Sequence, residues 1–262
     1  MQLSSLLAQK IAATAIIRAP VRHLIIDEML PTEFAETLSA EFGDYTGEHW
    51  HRYSNSIEEK RTCNQWNLFG KTTYQYFQAM CCQAVSAAIA EKFAIEVAAD
   101  FGLHGGGQHI HARLGNLNPH LDYAIHPKLG LERRLNAIYY LTDDYRESDG
   151  GHFGLWDNDS AESPGELAQE YAPFFNRFIL FDTSENSWHG LSRIYAPPHA
   201  AKRYRKSLAT YYVAAVRACA FTHSRARFAP REEQKGRAEV MHEIALRADE
   251  RTYRQAYRIA QK

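Results

Sequence analysis

The chain has 262 residues, 45% of them hydrophobic and 23% charged, with a formal net charge of -1. That balance suits a folded chain with a large core, excludes extended disorder, and gives no global electrostatic case for nucleic acid or an anionic membrane. No apolar run reaches the roughly 18 residues a bilayer span needs, the opening stretch lacks a leader's cleavage pattern, and four cysteines without a CxxC pair (Cys63, Cys81, Cys82, Cys219) read as reduced thiols, so a cytoplasmic setting is expected.

In chain order, residues 1–18 are expected to form an opening helix and residues 21–26 a strand. Pro31 suits the first turn of a helix over 32–42, with Phe34, Leu38 and Phe42 four apart on one face. From 43 to 70 the sequence is aromatic and polar without a period (Tyr45, Trp50, Tyr53, Trp66, Phe69, with His49 and His51), and reads as an irregular lid or flank. Over 72–93 the spacing of Tyr76, Met80, Val85, Ala88 and Ile89 predicts one long helix packed outside a sheet.

After Gly102 the pattern turns to short β-rich runs at 108–114, 135–141, 152–156, 178–181 and 207–216. Turn formers separate them: Gly115-Asn116, Asp143-Asp144, Asp149-Gly150-Gly151 and Asp157-Asn158-Asp159. An antiparallel sandwich or jelly roll is predicted. Residues 231–262 are charged and helix-forming, with Val240, Met241, Ile244 and Ala248 as a narrow apolar stripe. Residues 217–262 carry eleven basic and six acidic side chains. Because the two signs interleave, a helix docked by one edge is favoured over a nucleic-acid arm. One catalytic domain is expected, with 1–100 as N-terminal support, 101–216 as the β core and 217–262 as a helical extension.

His120-Leu121-Asp122 places an imidazole and a carboxylate two residues apart in a strand-like segment, so both point to one face. The best third ligand is His189, in Ser187-Trp188-His189-Gly190 after an apolar strand. Two histidines and one carboxylate with open opposite positions suit a non-heme Fe(II) oxygenase. A lone His-x-Asp is equally a hydrogen-bonded strand-end pair. Its order in the chain adds weight, because Arg205-Lys206-Ser207 follows. Arg205 and Ser207 share a parity and offer a guanidinium fork and a hydroxyl to a distal carboxylate.

These residues, with Ala137 to Asp144, Gly150-Gly151-His152-Phe153 and Asn176 to Phe181, resemble the Fe(II)- and 2-oxoglutarate-dependent dioxygenases of the prolyl-4-hydroxylase type. The resemblance covers about 101–216. It implies a mainly β, double-stranded β-helix fold (jelly roll, cupin-like) with flanking N-terminal helices and a C-terminal helix. It further implies iron on His120, Asp122 and His189, the C5 carboxylate of 2-oxoglutarate on Arg205 and Ser207 with the Tyr140 hydroxyl, and O2 as oxidant. Parity then puts Asn136 on the Tyr140 face, facing co-substrate or substrate or held as a core amide. Phe153 and Leu155 are expected to line the pocket, with His152 and Trp156 opposite or at the rim.

The chain departs from the pattern in that Arg205 lies sixteen positions after His189. The intervening loop with Tyr195, Pro197, Pro198 and His199 looks extended, and Arg203 competes as the anchor. Tyr211 stands where the nucleic-acid-demethylating branch has a second arginine, which disfavours that branch. Substrate contacts are expected from His126, Arg134, Phe153, Trp156 and Tyr211. Arg113 is a further anion contact or a surface pair, and His109 and His111 are site residues or hydrogen-bonded sheet residues.

The implied reaction is hydroxylation of an unactivated C–H bond, in a prolyl or other peptidyl residue or a small metabolite, with release of succinate and CO2. The alternatives are a tailoring oxygenase of a glycan or natural-product precursor and, in another class, a non-catalytic metal-binding jelly-roll module or sensor. The latter has no need of Arg205, Ser207 and Tyr140. Asp122 favours hydroxylation over halogenation. No nucleic-acid or membrane partner is expected, and the oligomeric state is not legible.

Overall fold

The structure is a computed structural model that describes residues 2–157, 162–183, 186–195, 203–220 and 223–258. The first third contains α1 (Leu3–Ala13), β1 (His23–Ile26), α2 (Thr32–Ala40), β2 (His51–Ser54), β3 (Glu58–Cys63), α3 (Lys71–Met80), α4 (Gln83–Phe93) and β4 (Ala98–Ala99). Ten strands follow: β5 (Gly107–His111), β6 (Asn116–Leu117), β7 (His120–Leu121), β8 (Glu132–Tyr140), β9 (Phe153–Trp156), β10 (Leu167–Tyr171), β11 (Phe178–Asp182), β12 (His189–Leu191), β13 (Arg205–Ala214) and β14 (Arg227–Phe228). The described chain ends with α5 (Ala238–Ala248) and α6 (Gln255–Arg258).

The strands form two antiparallel sheets. The larger runs β1-β11-β8-β13-β5-β3-β2, with β4 on β13 and β6 on β3; the smaller runs β10-β9-β12-β7-β14. They face one another, with Phe153 of the small sheet 4.9 Å from Phe181 of the large one. This is the expected double-stranded β-helix with flanking helices.

Period-two alternation gives the large sheet two different faces. Outward, Leu135, Ala137 and Tyr139 of β8, Phe178 and Leu180 of β11, and Leu208 and Tyr212 of β13 join Leu7, Ile11, Tyr76, Phe77, Val85 and Ile89 of the helices in one core. Each such Leu, Ile, Val or Phe side chain contributes about 1.5–3 kcal/mol when fully buried. Inward, Tyr140, Ile179 and Phe181 meet Phe153 and Leu155 in a smaller apolar cluster.

Three expectations are corrected. Residues 43–70 are not wholly irregular, because β2 and β3 extend the large sheet there, with Thr62 opposite His109 of β5. The hairpin is closed by Asn55, whose Oδ1 accepts the N–H groups of Ile57 (3.1 Å) and Glu58 (2.9 Å), a local turn that an asparagine side chain provides. The predicted helix over 72–93 is two helices, since Cys82 is extended (φ -78°, ψ 158°) and starts α4. The freed Met80 carbonyl accepts the Tyr212 hydroxyl at 2.8 Å. Of the predicted stripe on α5, Val240 is buried and Ile244 packs on it, but Met241 and Ala248 are exposed. Glu243 and Arg247 dock the helix instead, on Ser56 and Glu58.

The turn residues Asn158 and Asp159 and the loop residues Pro197, Pro198 and His199 lie outside the described residues. Among the described residues, no helix is long and apolar enough to cross a membrane.

Candidate active site

His120 and His189 sit directly opposite each other on β7 and β12, with ring centroids 4.3 Å apart. The strands approach this closely because Gly190 has no side chain; a Cβ there would lie 2.9 Å from the Pro119 backbone nitrogen. Asp122 follows β7, with Oδ1 3.9 Å from His120 Nε2 and Oδ2 3.7 Å from His189 Nε2. One ligand atom from each of the three lies within 4.8 Å of the others, and all three residues are buried.

The protonation of both rings follows from their neighbours. His120 Nδ1 bonds to the Asn118 carbonyl and His189 Nδ1 to the Ser187 carbonyl, each at 2.9 Å. A carbonyl only accepts, so Nδ1 carries the proton and the Nε2 lone pairs are left for the space between the residues. Burial, reinforced by His189, pushes His120 down to about 3, and burial also lowers His189. Both rings are therefore held in their neutral, ligating form. Burial would raise the Asp122 carboxyl, but His189, Arg133, His120 and Tyr211 outweigh it and hold it below the ordinary range. Asp122 Oδ2 has no hydrogen-bond partner. A buried, ionised oxygen facing two imidazole lone pairs is costly unless a cation joins them, so this donor set fits iron(II).

The three residues open on a cavity of about 550 Å³ between the sheets. Arg205, Ser207 and Asn136 line it from the large sheet. Arg205 Nε donates to the Gly151 carbonyl at 2.8 Å, while its Nη2 is buried without a partner. Gly151 has φ +72°, and a Cβ there would press on Arg205 Cδ at 2.9 Å, so the Gly-Gly turn makes room for the guanidinium. Tyr140 lies behind Arg205, which sits 4.9 Å from its ring centroid, and the Tyr140 hydroxyl and Asn136 Oδ1 are also buried without partners. Arg203 is spent on acids, its Nε on Asp144 at 2.7 Å and its Nη1 on Asp149 at 2.8 Å.

Of the expected substrate contacts, Phe153 and Tyr211 line the cavity, whereas His126, Arg134 and Trp156 do not. The His126 ring is used in its own turn. Its Nε2 lies 3.2 Å from Asp100 Oδ2, and its Nδ1 accepts the N–H groups of Lys128 and Leu129. Trp156 packs with Leu121, Trp188 and Ala229 on the far side of the small sheet. Leu155 shares the Phe153 face but lies in the apolar cluster rather than on the cavity wall.

Arg134 is displaced by a β-bulge. Tyr212 pairs with Leu135 but Val213 pairs with Arg133, so Arg134 is the extra residue of β8. Beyond the bulge the parity inverts and Arg133 faces the cavity. Its guanidinium lies between the Tyr123 and Tyr211 rings (3.7 and 3.5 Å) and reaches to 3.7 Å from Asp122.

Both His109 and His111 line the cavity, and His109 Nε2 and both His111 nitrogens are buried without partners. Several lining residues were not foreseen: Tyr53, Lys60 and Thr62 from the β2–β3 hairpin, and Arg225, Arg247, Tyr253 and Arg254 from the C-terminal segment. The turn formers Ser54-Asn55-Ser56 are the one sequence signal for the hairpin. Nothing local marks the others as cavity residues.

Residues 107–213 match the family model described as the 2OG-Fe(II) oxygenase superfamily. A curated relative, prolyl 3-hydroxylase OGFOD1 of Xenopus laevis, is 32% identical over 62 residues, which are 24% of this chain and 12% of that protein. The match thus spans only a small part of the relative's length. Among solved structures, a Pseudomonas putida prolyl-4-hydroxylase is similar with TM-score 0.53 at 16% identity, covering 82% of this chain and all of that one. A Trichoplax adhaerens prolyl hydroxylase, solved with a hypoxia-inducible-factor peptide fragment, has TM-score 0.50 at 13% identity, covering 80% of this chain and 89% of that one. At these identities the structures speak for the fold, and the family model speaks for the β core. The β core of this chain, residues 107–213, is thus similar to the 2OG-Fe(II) oxygenase superfamily.

Proposed function

We propose that the protein is an Fe(II)- and 2-oxoglutarate-dependent hydroxylase in which His120, Asp122 and His189 hold the metal. Arg205, with Ser207 and Tyr140, holds the far carboxylate of 2-oxoglutarate, and Asn136 contacts the co-substrate or substrate. The observation that carries this reading is the buried Arg205 Nη2, which has no hydrogen-bond partner, on a side chain that lines the cavity together with Ser207. A module that only bound metal would have no use for a buried guanidinium with a spare N–H edge, whereas a dicarboxylate fits it.

When bound, iron and 2-oxoglutarate supply the oxidising chemistry, in which O2 and 2-oxoglutarate give succinate, CO2 and one oxygen atom inserted into a C–H bond. The chain's own residues bind and orient. The Asn118 and Ser187 carbonyls fix the two rings, and Arg133, stacked between Tyr123 and Tyr211, holds Asp122 in place. Phe153 and Phe181 keep an apolar wall against His189, at 6.0 and 4.8 Å, which excludes water from that side. The likeness to prolyl hydroxylases supports a prolyl or other peptidyl residue, or a small metabolite, as the group hydroxylated. Residues 217–262 are part of the same catalytic domain on this reading, since Arg247, Tyr253 and Arg254 line the cavity. The free cysteines support a cytoplasmic setting.

The test is anaerobic addition of Fe(II) and 2-oxoglutarate. A visible charge-transfer band is expected from the native protein and none from His189→Ala. Correctly folded native protein without the band would sink the proposal. Succinate release screened against peptide, amino-acid and glycan-precursor pools then identifies the substrate.

A further inference from the structure

The cavity has far more positive charge than its proposed cofactors use. Six lysine and arginine side chains line it against two carboxylates, Glu58 and Asp122. Iron(II) would add two positive charges and 2-oxoglutarate two negative ones, so loading the site leaves the excess of four unchanged. Asp122 and Arg205 are engaged by metal and co-substrate on that reading, and Glu58 is shared by Arg247 at 2.9 Å and Lys60 at 3.8 Å.

What remains is concentrated on two platforms. Lys60 Nζ stands 4.9 Å above the Tyr53 ring on the β2–β3 hairpin, and its nearest carboxylate, Glu58, is beyond hydrogen-bonding distance. Arg225 stacks 3.5 Å over Tyr253, and its Nε is buried without a hydrogen-bond partner. Arg254 donates to the hydroxyl of the same tyrosine at 3.1 Å. A guanidinium stacked on a ring keeps its edge N–H groups for an acceptor in its own plane. Lys60 is largely shielded from water and shares its one nearby carboxylate with Arg247, so an anionic ligand would offset a desolvation cost there. The exposed Arg254 adds a further positive charge at the cavity mouth.

We infer that the substrate is a small molecule carrying a carboxylate or phosphate group, which Lys60 and Arg225, assisted by Arg254, hold while its reacting C–H bond faces His120, Asp122 and His189. A cavity of about 550 Å³ is in the range of small-molecule sites. This inference rests on the oxygenase reading, because the charge balance includes both cofactors.

The experiment is anaerobic calorimetry of full-length protein loaded with Fe(II) and saturating 2-oxoglutarate, titrated with inorganic phosphate or with acetate. At least one anion should bind, and the preferred one identifies the group. Lys60→Gln and Arg225→Gln should each weaken it about tenfold or more, the loss of one charge-assisted contact. Lys60→Arg and Arg225→Lys should restore most of the affinity. 2-Oxoglutarate titration of every variant reports folding and the cofactor site separately.

The inference is overturned if neither anion binds, if binding survives both Gln substitutions, or if the anion competes with 2-oxoglutarate and so uses Arg205. It is also overturned if an acidic peptide binds and neither small anion does. Failure of 2-oxoglutarate itself to bind would instead count against the hydroxylase reading.

Discussion

The two faces of β8 and β13 are built from alternate residues of the same strands, yet their polar atoms are treated oppositely. On the helix side, the Tyr139 hydroxyl donates to Asn176 at 2.6 Å and the Tyr212 hydroxyl to Met80 at 2.8 Å. On the cavity side, the neighbouring Tyr140 hydroxyl, Asn136 Oδ1 and Arg205 Nη2 have no partner. The helix side has its own exceptions, Thr73, Tyr76 and Thr210, but they are scattered through an apolar core. Of these inward orphans, Asn136 and Arg205 line one space with His109 and His111. A face finished for packing closes its hydrogen bonds internally; a face finished for a ligand leaves them to the ligand.

The largest test of this contrast sets stability against chemistry. Leu180→Ala, on the helix side, should cost about 2–5 kcal/mol of unfolding free energy in a urea titration, while folded protein still binds 2-oxoglutarate. His189→Ala should do the reverse, keeping the unfolding midpoint of metal-free protein and abolishing metal-dependent succinate release. If both substitutions lowered stability and binding together, the two faces would not be functionally separate.

Next in size is the choice between Arg205 and Arg203. Arg205→Ala should weaken 2-oxoglutarate binding by about 2–3 kcal/mol, the worth of a charge-assisted contact. Arg203→Ala, which frees only Asp144 and Asp149, should leave that binding near the native value in calorimetry. The reverse result would move the anchor to Arg203.

The adjacent tyrosines sharpen the comparison at the level of a single oxygen. Tyr139→Phe removes a satisfied buried hydrogen bond and should cost about 1 kcal/mol of stability with no change in 2-oxoglutarate affinity. Tyr140→Phe removes an orphan, so metal-free protein should be unchanged or slightly more stable, while 2-oxoglutarate binding weakens several-fold. Equal stability losses in the two variants would mean that the Tyr140 hydroxyl is not held in reserve for a ligand.

How far the sequence carried these features depended on the range of the contact. The His120–Asp122 pair, Arg205 with Ser207, and the inward side of β8 up to Asn136 follow from strand parity, which is a property of neighbouring residues, whereas His189 follows from its place after an apolar strand. Parity failed at Arg134, because one extra residue in β8 turned Arg133 inward, and no residue type announces a bulge there. His126 was misjudged because its ring serves the turn in which it sits. Lys60 was out of reach for another reason: β3 pairs with β5 across some fifty residues of chain, and strand-like residues do not name their partner. Arg247 belongs to the same class, since a charged amphipathic helix reads identically whether its edge faces solvent or lines a cavity. Arg225 and Arg254 lie outside α5 and α6, where no periodicity places them.

The smallest effect lies on the packing side and depends on pH. α3 has no capping side chain of its own at Gly70. Glu41, at the end of α2, supplies the cap, its carboxylate accepting the N–H groups of Thr72 (2.8 Å) and Thr73 (2.6 Å). Partial burial raises its pKa, but the backbone N–H groups of Thr72 and Thr73 outweigh it and hold the carboxyl below its usual value. A depressed folded-state pKa means that the stabilisation is fully present above the unfolded-state value and is lost as pH falls through the folded-state value. Glu41→Gln should therefore cost about 0.5–1 kcal/mol near neutrality. The gap from the native protein should narrow as acid protonates Glu41, and 2-oxoglutarate binding should not change at any pH at which both proteins are folded. A gap that widened in acid would mean that Glu41 is not the anionic cap of α3.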